Sequence, residues 1–203
     1  MAGDDSGIAY PALLVERKTG LEQIGDTGRS VADYWAWAHS DLNSNAERGK
    51  LAEYLVALAL GCAGGTSEQW GAYDLVSPEG IKVEVKTSAY LQSWGHEKLS
   101  VLRFGIKPTH AEDRETGQFA QEVKRQSDVY VFCVESCTDQ AGLDPLDLSQ
   151  WDFYPLATAT LNTEVGDQGS IGLEGLRNLG ACRTGFDDLP AAILAQAKLS
   201  SPQ

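Results

Sequence analysis

Apolar and polar positions follow a helical period early in the chain and a two-residue period further on. From Ser30 the spacing of Val31, Tyr34, Trp35, Ala38 and Leu42 is that of a helix, and Ser30-Val31-Ala32-Asp33 has the form of a capping box. Trp35 and Trp37 read as packing residues of that helix. A second box, Ser44-Asn45-Ala46-Glu47, opens a helix expected over 46–60, with Gly61 placed to end it. Beyond it the period falls to two. Ile81, Val83 and Val85 point one way, and Lys82, Glu84 and Lys86 the other. Pro78-Glu79-Gly80 lies just before. Proline presets a turn φ and glycine accepts the left-handed conformation, so these three residues read as a hairpin loop. Ser77 then opposes Ile81, and Asp74 opposes Glu84.

The remaining segments follow the same logic. Residues 99–106 read as a strand, 107–117 as an exposed excursion and 118–125 as a short helix. Asp128 to Val134 is almost continuously apolar, which predicts a strand buried on both faces. Residues 138–150 form an acidic loop. Residues 151–156 alternate like a strand, and Pro155 points to an edge or to a strand end. Another strand is expected at 170–173, with short helices at 173–179 and 189–198. The first 27 residues show no sustained period and read as a partly ordered arm, with Ala12-Leu13-Leu14-Val15 as its candidate packing residues.

Composition narrows the class. With 203 residues, 42% of them hydrophobic, the chain suits one globular domain. Residues 1–27 would be its arm, 28–135 a helical lead-in and core, and 136–203 a C-terminal extension. No apolar run is long enough for a membrane helix, and the N-terminus lacks the basic and apolar regions of a leader, so a cytoplasmic protein is expected. Cys133 and Cys137 have no matching cysteine or histidine pair, which leaves reduced thiols rather than a zinc site. The net charge of −13 opposes broad, charge-driven binding to nucleic acid. Residues 81–126 depart from that balance, with eight basic against six acidic side chains.

The candidate chemistry sits on the hairpin. Like charges opposed on a sheet destabilise it, so Asp74 facing Glu84 makes sense around a cation. Mg²⁺ commonly takes one or two carboxylates together with water and substrate phosphate. Lys86, two residues on and on the same face, is placed to orient or deprotonate a metal-bound water. The bland alternative is that Glu84-Val85-Lys86 is only the solvated face of an amphipathic strand. A one-residue register slip would also put the two carboxylates on opposite faces. Glu47 has a capping role to explain it. Glu53 lies in a stretch, 51–60, that is apolar almost all round, which predicts burial. A buried glutamate costs several kcal/mol unless paired or metal-bound. Glu53 therefore either has a structural partner or faces the Asp74/Glu84 pair.

The order of helix with Glu53, hairpin with Asp74 and Glu84-Val85-Lys86, strand, helix and buried strand resembles the core of the PD-(D/E)xK nuclease superfamily, which includes restriction endonucleases and Holliday-junction resolvases. The resemblance covers roughly residues 46–135. Gly49-Lys50-Leu51-Ala52-Glu53 is similar to its first-helix glutamate segment, Asp74 to its aspartate, and Glu84-Val85-Lys86 to its tripeptide. Tyr73 stands where many members carry a proline. The resemblance implies a restriction-endonuclease-like three-layer α/β/α sandwich with a central mixed sheet, and Mg²⁺-dependent hydrolysis of DNA, with Mn²⁺ as a substitute. Asp74, Glu84 and the Val85 carbonyl would bind the metal. Glu53 would be a further direct or water-mediated ligand, and Lys86 would position the attacking water. Ser88 and Gln92 would contact phosphate or metal waters. DNA is the implied partner, and a homodimer is compatible with the reading. Two rivals stay open: a non-catalytic binding module on a nuclease fold, and a globular protein with a fortuitous motif.

Overall fold

A computed structural model of the chain describes residues 13–67, 71–113 and 116–200. Helix α1 (Val31–His39) opens with the expected capping box. The Ser30 side chain accepts from the Asp33 N–H, and the Asp33 carboxylate accepts from the Ser30 N–H. No residue of α1 is buried, however, and Trp37 is 84% exposed. Trp35 lies over Gly20, where a Cβ would come within 3.1 Å of the indole. Among the described residues the packing expected of both tryptophans is thus confined to Trp35, because no residue of α1 enters the buried core. Leu13, Leu14 and Val15 are also exposed, so among the described residues of the arm the expected packing does not form. Ala12 lies outside the described residues.

Helix α2 (Asn45–Ala59) ends where the sequence places its stop. Gly61 has φ +70°, Gly61 N–H donates to Leu58 O, and Cys62 N–H donates to Ala57 O. These two bonds satisfy carbonyls that the last turn would otherwise leave open. The helix is not buried all round as expected. It turns Arg48, Ala52, Leu55, Val56 and Ala57 inward and leaves Tyr54 and Leu58 in solvent.

The fold is mixed α/β around a mixed, four-stranded sheet. Its order is β1 (Leu75–Val76), β2 (Lys82–Ala89), β6 (Val129–Glu135) and β7 (Trp151–Ala157). The β1–β2 and β6–β7 pairs are antiparallel, and β2–β6 is parallel. The hairpin register is the expected one. Leu75 pairs with Val83, Ser77 N–H donates to Ile81 O, and Gly80 turns at φ +83°. All seven residues of β6 are buried, as their continuous apolar run predicts. Strand β7 is the sheet's edge among the described residues, apart from one bridge between Phe153 and Thr184. Since the Phe153 N–H points outward to Thr184 O, position 155 points outward too, and a proline there forfeits no bond to β6.

Two cores lie on the two faces of this sheet. On one, Val83, Val85, Val129, Val131 and Phe153 pack against α2 and against α5 (Leu189–Ser200). On the other, Tyr130, Phe132, Tyr154 and Leu156 pack against residues from a second ladder, β3 (Arg103–Gly105) with β8 (Ser170–Gly172). Leu161 of α3 (Thr158–Val165) and Leu176 of α4 (Leu173–Asn178) join this second core. Phe104 meets Phe132 edge-on at 5.1 Å. The helix expected at 118–125 is instead β5 (Gln118–Lys124), paired with β4 (Thr109–Asp113) in an exposed ribbon. Phe119 and Val123 are four apart and imitate a helical stripe. On the strand both stay exposed. No described helix is long and apolar enough to cross a membrane.

Candidate active site

Strand β1 is short, and this creates the site. The backbone of Val83 bonds to Asp74, where β1 has already ended, and one step further Val85 has no ladder partner from β1. Asp74 fills that place with its side chain: Oδ2 accepts from the Val85 N–H at 2.7 Å. A strand residue sends its N–H and C=O to the same side, so the Val85 carbonyl leaves β2 on this same edge. The pleat that turns Val83 and Val85 into the first core turns Glu84 and Lys86 to the other face, where the register also directs Asp74.

Asp74, Glu84 and Lys86 line one open cavity of about 420 Å³, together with Gly105, Lys107 and Tyr130. The Lys86 ammonium lies 2.5 Å from Glu84 Oε1. Burial pushes the Glu84 carboxyl above the usual carboxylate range. The Asp74 charge adds to that rise, Lys86 opposes it, and Glu53 contributes a smaller increase. Glu53 is on α2, across the sheet, and with Asp74 it lines a neighbouring cavity. Its Oε2 takes the Lys50 ammonium at 2.6 Å and the Ser67 hydroxyl at 3.3 Å. Burial raises the Glu53 carboxyl too. Lys50 opposes the rise and the Asp74 charge reinforces it. Asp74 therefore borders both cavities and is felt by both glutamates. Glu47, in contrast, stays at the start of α2, where its Oε1 meets His39 Nδ1 at 2.9 Å.

Ser88 and Gln92 do not join these carboxylates. They line a separate hollow with Arg48, Trp94 and Arg103. The Gln92 amide donates to Ala89 O and to Ser100 Oγ, both at 3.0 Å, and its oxygen accepts from Arg48 at 3.4 Å. Ser88 Oγ accepts from the Arg103 N–H at 3.3 Å.

Three neighbours of the site went unread in the sequence. Lys50 was legible only as the i, i+3 partner of Glu53. Lys107 was hidden in a segment taken for an excursion. Tyr130 was absorbed into an apolar run, yet it pairs in register with Glu84. Burial, then the Glu84 charge, pushes its phenol far above the ordinary tyrosine range. It is a neutral hydroxyl at the cavity wall.

Among the described residues, no three His, Cys, Asp or Glu side chains form a ready-made metal cluster. The donors on hand are hard oxygens: a carboxylate pair and a carbonyl on an open edge, the kind of set that suits Mg²⁺ completed by water. Two glutamates raised by burial and by the Asp74 charge, each held by a lysine ammonium, are in surroundings that a divalent cation would relieve.

A search of curated proteins finds no match. The family model of bacteriophage T4 endonuclease IV matches residues 14–171, from the arm through β8, and so includes every carboxylate and lysine described above. The match spans most of the chain, and the protein belongs to the bacteriophage T4 endonuclease IV family.

Proposed function

We propose that the protein is a metal-dependent DNA endonuclease of the PD-(D/E)xK type, acting in the cytoplasm, with its four-stranded sheet as the centre of a restriction-endonuclease-like sandwich. The observation that carries the reading is the single cavity lined by Asp74, Glu84 and Lys86 beside the open edge of β2. Family membership supports the phosphodiester chemistry. Asp74 and Glu84, with the Val85 carbonyl, would hold Mg²⁺ or Mn²⁺, and Glu53 would reach it directly or through water. When bound, the metal supplies a water of lowered pKa and stabilises charge developing on the scissile phosphate. The chain's own residues do the rest. Lys86, whose ammonium sits beside Glu84, would position the attacking water. Tyr130, neutral and largely buried, closes the cavity floor and donates no charge of its own. Lys50 opposes the rise that burial imposes on the Glu53 carboxyl.

The test is cleavage of linear and branched DNA by purified protein in Mg²⁺, with EDTA as control. Wild type is expected to cut and Lys86→Ala to lose cutting by at least a hundredfold at unchanged melting temperature. Lys86 is partly exposed, so its truncation leaves no core cavity. Binding without cleavage by the wild type, on every DNA form offered, would instead identify a non-catalytic module.

A further inference from the structure

Residues 101–108 alternate without interruption. Leu102, Phe104, Ile106 and Pro108 are buried, and Val101, Arg103, Gly105 and Lys107 face solvent. Leu102, Phe104 and Ile106 enter the second core and anchor the segment there. The outward set carries two cations with a glycine between them. Gly105 and Lys107 line the cavity of Asp74, Glu84 and Lys86, and Arg103 lines the adjoining hollow beside Ser88 and Trp94. From Arg103 to Lys107 the strand spans about 13 Å at ~3.3 Å per residue. That is on the order of four nucleotide steps at ~3.4 Å of axial rise.

Among the described residues, these two side chains are not spent on carboxylates. In this acidic chain, Lys18, Arg48, Lys50, Lys86, Lys124 and Arg183 are each paired with a carboxylate. Arg125, close by in sequence, is buried and spent on the Ile106 and Gly166 carbonyls. Among the described residues, neither Arg103 nor Lys107 forms an ion pair. The Arg103 guanidinium donates to the Ser170 hydroxyl oxygen at 3.2 Å. Gly105 is equally distinctive. Its backbone is not in the left-handed region, and a Cβ there would meet nothing within 4 Å, so the fold does not require a glycine. Gly105 closes β3, and a glycine in a strand often marks the close approach of another backbone.

We propose that the outward face of residues 103–107 is the rail that guides the substrate's sugar–phosphate backbone past the carboxylates, with flanking phosphates on Arg103 and Lys107 and the strand lying directly over Gly105. This rests on the endonuclease reading and adds residues that the motif does not contain. It also resolves a conflict in the charge: a protein of −13 holds a polyanion at a short cationic rail, not by its overall field.

The experiment measures the affinity of a fluorescein-labelled DNA oligonucleotide by anisotropy in Mg²⁺ across a salt series, in the Lys86→Ala background so that the strand is bound and not cut. Wild-type cleavage is followed in parallel. Arg103→Gln and Lys107→Gln should each weaken binding and flatten the slope of log K against log salt by about 0.7–0.9, and the pair by about twice that. Arg103→Lys keeps the charge and loses the fixed geometry toward Ser170. It should retain the slope, which a merely structural Arg103 would not allow. Gly105→Val should keep or raise the melting temperature while weakening binding at least tenfold. If the parent protein binds and the glutamine variants keep its affinity and slope, or Gly105→Val binds as before, the rail is wrong and the endonuclease reading stands. If wild type neither binds nor cuts DNA, both fall together.

Discussion

Replacing Asp74 by asparagine separates two roles of one side chain. Its Oδ2 completes the β2 ladder by accepting from Val85 N–H at 2.7 Å, and its charge raises the carboxyls of both Glu84 and Glu53. Two like charges about 5 Å apart repel by roughly 3 kcal/mol at an effective dielectric of ~20. Screening by water and by the Lys50 and Lys86 ammoniums leaves about 1–2 kcal/mol of that. Asparagine keeps an oxygen acceptor but exchanges a charged hydrogen bond for a neutral one, a loss of about 1 kcal/mol. Asp74→Asn should therefore be neutral to about 1 kcal/mol more stable than wild type at pH 7. Asp74→Ala gains the same relief but orphans the Val85 N–H, at ~1–3 kcal/mol, and should be the less stable variant. Both should be inactive. The pH dependence follows from the raised glutamates. A carboxyl raised in the fold contributes stability below its unfolded pKa, and that stability is lost as pH rises through its folded value. Asp74→Asn lowers the folded values of Glu84 and Glu53 and reduces that loss. Its advantage over wild type should grow from pH 4 to pH 8 and vanish in acid. Urea unfolding of the three proteins across that range measures it. An advantage independent of pH, or Asn no better than Ala, would refute the reasoning.

Other consequences can be checked as directly. Titrating Mg²⁺ into the protein near pH 6 should release protons, since the ion needs Glu84 and Glu53 ionised, and should raise the melting temperature. Calorimetry in two buffers of different ionisation heat reads the release, and an absence of binding at millimolar metal would contradict it. Gln92→Ala should cost about 1–2 kcal/mol through its lost bonds to Ala89 O and Ser100 Oγ, and leave the kcat of DNA cleavage within a few-fold. A hundredfold loss at intact stability would restore a direct substrate role. Glu135→Ala should destabilise by roughly 3–5 kcal/mol in urea unfolding. It strands Arg48, whose Nε lies 2.9 Å from Glu135 Oε2 with both side chains almost wholly buried.

The hairpin was legible because two independent signals agree on it: turn chemistry at Pro78-Glu79-Gly80 and strict alternation from Ile81 to Lys86. That agreement fixed the register that sets Asp74 opposite Glu84. The buried β6 and the stop of α2 at Gly61 were legible for similarly local reasons. Where tertiary context decides, the pattern misled. Phe119 and Val123 have helical spacing, but their partner strand is β4, and an exposed ribbon leaves no core to enforce a period. Trp37 sits on a well-capped helix none of whose residues is buried. Helix α3 went unseen because Ala157 offers no side-chain cap and its threonines weaken the helical signal. The site divides likewise. Its acidic residues announce themselves in sequence, whereas Arg103, Gly105 and Lys107 acquire meaning only once β3 is laid beside β2.

The central claim, that the open edge of β2 is a metal-dependent catalytic centre, is tested most directly by anomalous diffraction from crystals soaked in Mn²⁺. The account predicts a manganese peak at about 2.0–2.2 Å from carboxylate oxygens of both Asp74 and Glu84, with Lys86 swung away from Glu84 and the peak lost in Asp74→Asn crystals. A protein that cuts DNA in Mn²⁺ yet shows its metal elsewhere, with Lys86 still bound to Glu84, would contradict it.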